Sequence, residues 1–173
     1  MHIAGLQKLS LLDYPGKVAC TVFLSGCSLR CPYCHNAELI SPQASGEEIS
    51  QTRLMEFLDL RKGKIDGVCI SGGEPTLCSG LPELMKAIRK KGFSVKMDTN
   101  GTNPEVLKQL IDKNLIDYVA MDIKNSRIRY HETCGAEVLP QIEKSVQLLM
   151  NGNIDYEFRT TVCKPLHTLN DMK

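Results

Sequence analysis

The sequence predicts an α/β fold built on a parallel sheet, and three observations carry that prediction. Five short apolar, β-branched runs alternate with amphipathic helical segments. The loops after the runs hold most of the Cys, Gly, Asp, Asn and Lys chemistry, whereas return loops such as Asp112-Lys113-Asn114 are plain turns. The length of 173 residues suits one domain, on a prior of roughly 150 residues per domain. Such an alternation closes through right-handed crossovers and places functional side chains at the carboxyl ends of the strands.

The elements follow in order. Residues 1–16 read as an N-terminal extension, and the barrel-forming part of the single domain starts at Lys17. Lys17 to Ser25 is β-branched and apolar without helical period, so it reads as a buried strand. Gly26 to Asn36 is a Cys-rich loop. Gly46 to Leu60 is helical, with Leu54, Phe57 and Leu58 on one face. Gly67 to Ser71 is a strand that runs into Gly72-Gly73. Leu81 to Lys91 is a helix, its apolar residues at Leu81, Leu84, Met85 and Ile88. Phe93 to Asp98 is a strand. Asn103-Pro104-Glu105 reads as a helix start, with Asn as cap and Pro at the first position. Ile116 to Ile123 is a strand, Ile142, Val146 and Leu149 mark another helix, and Ile154 to Thr161 is the fifth strand. After it, Thr168 or Asn170 looks like a helix cap with almost no chain left to follow, so the sequence reads as truncated before its next helix.

Composition narrows the function classes. Lys+Arg 21 against Asp+Glu 20 leaves a net charge of +1, which argues against a general electrostatic grip on nucleic acid or an anionic membrane. No run approaches the roughly 18 apolar residues of a spanning helix. Asp13 and Pro15 interrupt the early apolar stretch, so no secretory signal is read and a cytoplasmic protein is expected. Eight cysteines in such a chain point to metal or catalytic use rather than a disulfide scaffold.

Three of the eight share one loop. Cys27, Cys31 and Cys34 have the spacing C-x3-C-x2-C, directly after a predicted strand and a glycine. Three thiolates can hold three irons of a [4Fe–4S] cluster and leave the fourth open. Other readings stay open on the spacing alone. A structural zinc site wants a fourth ligand, and His35 is poorly placed to supply it. Cys31-Pro32-Tyr33-Cys34 is also a redox-type dithiol pattern. Buried free thiols are the plainest reading. Cys20 and Cys69 lie inside strands as core hydrophobes, and Cys78, Cys134 and Cys163 fall in loops without cluster spacing. His131 and His167 read as surface residues, His35 less so.

CSLRCPYC at 27–34 resembles the cysteine signature of the radical S-adenosylmethionine (SAM) superfamily, and SGGEPT at 71–76 resembles its Gly-Gly-Glu motif. LDYPGK at 12–17, MDTNG at 97–101 and YVAMDIK at 118–124 are similar to the glycyl-radical activating enzymes, most closely the anaerobic ribonucleoside-triphosphate reductase activating proteins. The resemblance runs from Leu12 to about Pro165. It implies a partial (β/α) TIM-like barrel, the radical SAM core, in an oxidoreductase that carries a [4Fe–4S] cluster and S-adenosylmethionine.

The resemblance assigns roles residue by residue. Cys27, Cys31 and Cys34 become the cluster ligands, and Tyr33 the aromatic whose backbone nears the adenine. Gly72, Gly73 and Glu74 receive the S-adenosylmethionine amino group. Asp98, Thr99 and Asp122 form a monovalent-cation site beside Asn100, and Lys124 binds the carboxylate. Arg159 either contacts S-adenosylmethionine or points outward from its strand. The implied reaction is reductive cleavage to a 5′-deoxyadenosyl radical that makes a glycyl radical on a partner enzyme. The partners implied are a glycyl-radical enzyme and a flavodoxin- or ferredoxin-type electron donor. A deazapurine-type small-molecule reaction and a non-catalytic iron–sulfur or zinc module are the alternatives.

Overall fold

A computed structural model describes residues 2–42 and 48–172. One sheet runs in chain order through β1 (Ile3–Ser10), β2 (Ala19–Leu24), β3 (Gly67–Gly72), β4 (Ser94–Thr99), β5 (Tyr118–Asp122) and β6 (Asp155–Arg159). From β2 to β6 every pairing is parallel, as the five apolar runs predict. The helices are α1 (Gln51–Arg61), α2 (Leu81–Lys90), α3 (Pro104–Asp112), the short α4 (Tyr130–Cys134) and α5 (Leu139–Met150). Mixed α/β order with sequential parallel strands is the partial TIM-like core expected.

Within the N-terminal extension, β1 pairs antiparallel with β2, ahead of the parallel strands. Its sequence IAGLQKLS lacks steady alternation and has a single β-branched residue, so the pattern hides a strand that pairing supplies. The helix expected from Gly46 begins at Gln51 instead, capped by the Ser50 hydroxyl, which accepts from Arg53 N; Gly46 itself lies outside the described residues. Asn103 occupies the cap position of α3 but makes no side-chain cap bond. Its amide donates to Thr76 Oγ1 at 3.0 Å, across the strand ends.

Helix faces and strand centres meet in one core. Leu54 and Leu58 of α1, Leu81, Leu84, Met85 and Ile88 of α2, and Leu107 and Leu110 of α3 pack on Val68, Ile70, Val95 and Met97. Burial of each such side chain stabilises by roughly 1.5–3 kcal/mol. Gly72 sits at φ 120°, and a Cβ there would collide with the backbone of Leu24 on the neighbouring strand. The glycine therefore lets β2 and β3 close together where the chain enters the site.

At the end of the described residues, 169–172 form a turn. Asp171 accepts from both the N–H and the hydroxyl of Thr168, from Ser126 Oγ and from Arg129. Thr168 and Asp171 thus tie this turn to the loop after β5 through Ser126 and Arg129.

Candidate active site

The carboxyl ends of β2 to β6 surround one open cavity of about 340 Å³. Its wall brings together Cys27, Cys31, Tyr33, Cys34, Gly72, Gly73, Asp98, Thr99, Asn100, Asp122, Lys124 and Arg159. Of the residues singled out in the sequence, Glu74 alone is off the wall. Sequence reasoning missed Asn36 and Ser71, which line it beside His35, and Lys96, which lies beneath it.

The cysteine loop leaves β2 at Gly26, whose φ of 99° turns the chain. Backbone bonds Gly26 N to Leu39 O and Cys27 N to Ile40 O hold the loop against residues 39–40. All eight cysteines are free. Burial pushes the Cys27 thiol up and the Cys31 thiol up to about 11. Lys124 works in the other direction on both. The N–H of Leu29 and the amide of Asn100 donate to Cys27 Sγ at 3.4 and 3.7 Å.

The charged residues alternate in sign. Lys96 pairs with Asp98, whose other oxygen accepts from Ser71 Oγ at 3.0 Å. Arg159 reaches Asp98 at 3.5 Å and Asp122 at 3.2 Å. Lys124 Nζ meets the second oxygen of Asp122 at 2.9 Å. Asp122 and Arg159 are direct partners across β5 and β6, which sets their proximity. Burial alone would lower the pKa of Arg159 and of Lys124, but Asp98 and Asp122 around the one, and Asp122 beside the other, outweigh it and both stay raised. Arg159 thus faces the cavity and does not point outward.

Glu74 is fully buried and is not among the residues that line the cavity. Oε1 accepts from Thr76 N, Thr76 Oγ1 and Thr99 Oγ1, and Oε2 from Asn100 N. Burial raises its pKa against the pull of those four donors. The glycines before it, not the carboxylate, face the cavity. Asp98, Thr99 and Asp122, the residues expected at a monovalent cation, all line the cavity. Thr99 donates to Glu74, and both aspartates already pair with protein cations.

The histidines exchange places relative to expectation. His35 is exposed on the cavity rim, while His167 is buried. His167 Nε2 lies 2.8 Å from the Lys124 carbonyl, and its ring stands edge-on to Tyr33 at 6.0 Å between centroids. Tyr33 Oη also donates to that carbonyl, at 3.4 Å. Cys134 ends α4 in the core rather than lying in a loop. Cys20 and Cys69 are buried in strands as expected.

Among the described residues no three His, Cys, Asp or Glu side chains converge as ligands of a single metal ion do. A four-iron cluster presents separate irons to separate thiolates, so it takes thiols spread along a loop. The donor set fits such a cluster: three half-buried thiols on one cavity, N–H donors toward a sulfur, and a lysine nearby. The same cavity, with Lys124, Arg159 and glycine backbone, fits a polar ligand that carries a carboxylate. No helix among the described residues is long and apolar enough to cross a membrane.

Comparison with known proteins extends this description. The family model of the radical SAM superfamily matches residues 21–172. A protein of Methanocaldococcus jannaschii named as a glycyl-radical enzyme activating enzyme is 40% identical over 165 residues, covering 92% of this chain and 67% of that protein. The pyruvate formate-lyase-activating enzyme of Clostridium pasteurianum is 32% identical over 129 residues, covering 72% of this chain. The chain spans 52% of that enzyme's length. The solved structure of TYW1 with a lysine-pyruvate adduct bound matches with a TM-score of 0.61 at 20% identity, over 86% of this chain and 56% of that one, a likeness of fold.

Proposed function

Since the chain belongs to the radical SAM superfamily, we propose that it acts as a glycyl-radical enzyme activating enzyme. Its partner on this reading is an anaerobic ribonucleoside-triphosphate reductase. The observation that carries the reading is the shared cavity, in which Cys27, Cys31 and Cys34 stand with Lys124, Arg159 and the Gly72-Gly73 turn. The motifs MDTNG and YVAMDIK, which end β4 and β5, support the choice of partner by their resemblance.

Cys27, Cys31 and Cys34 would hold a [4Fe–4S] cluster. A cluster held there would supply the electron for reductive cleavage of S-adenosylmethionine, the chemistry from which a glycyl radical on the partner would follow. The protein's own residues do the rest. Lys124 presents an ammonium to the ligand carboxylate, braced by Asp122. Arg159 contributes a second cation at the strand end. Gly72 and Gly73 leave no room for a Cβ against the backbone of Leu24 and Gly26, and their close packing sets the cavity wall there. Tyr33 and His167 hold the Lys124 carbonyl and so the turn that carries Lys124. The open side of the cavity admits a partner's loop. An electron donor of flavodoxin or ferredoxin type and a cytoplasmic location belong to the same reading.

Anaerobic reconstitution tests it. The expected protein carries about four iron per chain. With dithionite it cleaves S-adenosylmethionine, and it leaves a glycyl radical signal on an anaerobic ribonucleotide reductase. Radical formation on pyruvate formate-lyase instead would change the partner. Cleavage with no radical on either would favour a small-molecule substrate, and zinc uptake without cleavage a non-catalytic module.

A further inference from the structure

We propose that Lys96 is a positioning residue of this site, acting from one layer beneath the cavity through Asp98 on Arg159. The proposal rests on the reading of the cavity as the S-adenosylmethionine site. Lys96 lies in the middle of β4, its side chain 1% exposed. Strand register places it level with Cys69 of β3 and Tyr118 of β5. Asp98, two residues on, projects from the same face one layer higher, at the cavity wall. A buried lysine is unfavourable unless its charge is paired. Here the ammonium pairs with Asp98 and lies 3.8 Å from Cys69 Sγ.

Lys96 does not touch the cavity, yet it decides the charge there. With it, three cations (Lys96, Arg159 and Lys124) stand against two carboxylates, Asp98 and Asp122. Asp98 is compensated from below. Arg159, at 38% side-chain exposure and with its contact to Asp98 at 3.5 Å, stays at the level of its cross-strand partner Asp122 and open to ligand. Without Lys96, Asp98 would draw Arg159 down as its sole remaining cation. The buried space left by the ammonium would then suit a small monovalent cation held by Asp98. Lys96 is thus a built-in cation of the strand layer, and the wild type needs no added one there.

The test follows ligand binding and stability rather than turnover. In wild type, exchange of tetramethylammonium for potassium at a fixed ionic strength of about 0.1 M should leave the melting temperature and S-adenosylmethionine affinity unchanged. Lys96→Met should bind S-adenosylmethionine on the order of tenfold more weakly, within the range for coupled charge pairs. Potassium or ammonium, but not the bulky tetramethylammonium, should restore much of that loss and raise the variant's melting temperature. The double variant Lys96→Met/Asp98→Asn should lose the cation response.

A variant affinity equal to wild type, or a loss indifferent to the cation, overturns the proposal. So does a wild type whose affinity or melting temperature rises with potassium, a result that needs no variant to fold. If wild type fails to bind S-adenosylmethionine at all, the function is misread, while the melting temperatures still judge the Lys96–Asp98 pairing.

Discussion

Glu74 Oε2 accepts a hydrogen bond from the backbone N–H of Asn100 at 2.6 Å, joining the turn after β3 to the end of β4. With Thr76 and Thr99 on the other oxygen, this buried carboxylate is a brace under the cavity floor. In Glu74→Gln one acceptor becomes a donor that faces donors. Leaving a buried group unsatisfied costs about 1–3 kcal/mol. Urea denaturation should show a loss of that size, and an unchanged midpoint would remove the brace from the account.

Gly72→Ala tests the close approach of β2 and β3. The added methyl meets Leu24 backbone at a φ that L residues rarely adopt. A destabilisation of about 2–3 kcal/mol is expected. Gly63→Ala has the same kind of φ but open space around it, and should be milder in a side-by-side thermal melt.

The cysteines separate by iron content. Cys27→Ala, Cys31→Ala and Cys34→Ala should each lose most reconstituted iron. Cys163→Ser and Cys78→Ser, whose sulfurs do not line the cavity, should retain it. Iron loss from the last two, or full iron in any of the first three, would reassign the ligands.

His167→Ala removes the shorter of two hydrogen bonds to the Lys124 carbonyl and the edge contact with Tyr33. A loss of about 1–2 kcal/mol of stability is expected, with weaker S-adenosylmethionine binding. His131→Ala, on the surface, should change neither in calorimetry.

Asp171 makes a pH prediction. Hydrogen bonds from Thr168 and Ser126, and its pairing with Arg129, hold its carboxyl well below the usual carboxylate range. A lowered folded pKa means that its stabilisation is complete above the unfolded value of about 3.9 and is lost as pH falls through the folded value. Amide exchange at Thr168 should therefore stay slow at pH 5–7, by this principle, and quicken only in strong acid. Asp171→Asn should exchange faster at neutral pH and lose that acid response.

The motif residues were legible because their chemistry is local. Three cysteines on one loop, and two glycines ending a strand, show in a linear reading. Lys96 had a signal that went unused: a lysine in an apolar strand with an aspartate two residues on, hence on the same face. His167 had none, since its partners are 43 residues away at Lys124 and across the cavity wall at Tyr33. β1 was hidden for a related reason, because its stability comes from pairing with β2 rather than from its own pattern.

By itself the sequence determined the order of five parallel strands, the helix faces that cover them and the cysteine loop. Each follows from periodicity or spacing within a few residues of chain. Only the tertiary structure decided that Glu74 turns inward, that Arg159 turns into the cavity and that Lys96 lies beneath it. Those outcomes depend on which charges and donors face one another across strands, and strand register sets that over distances no local pattern records.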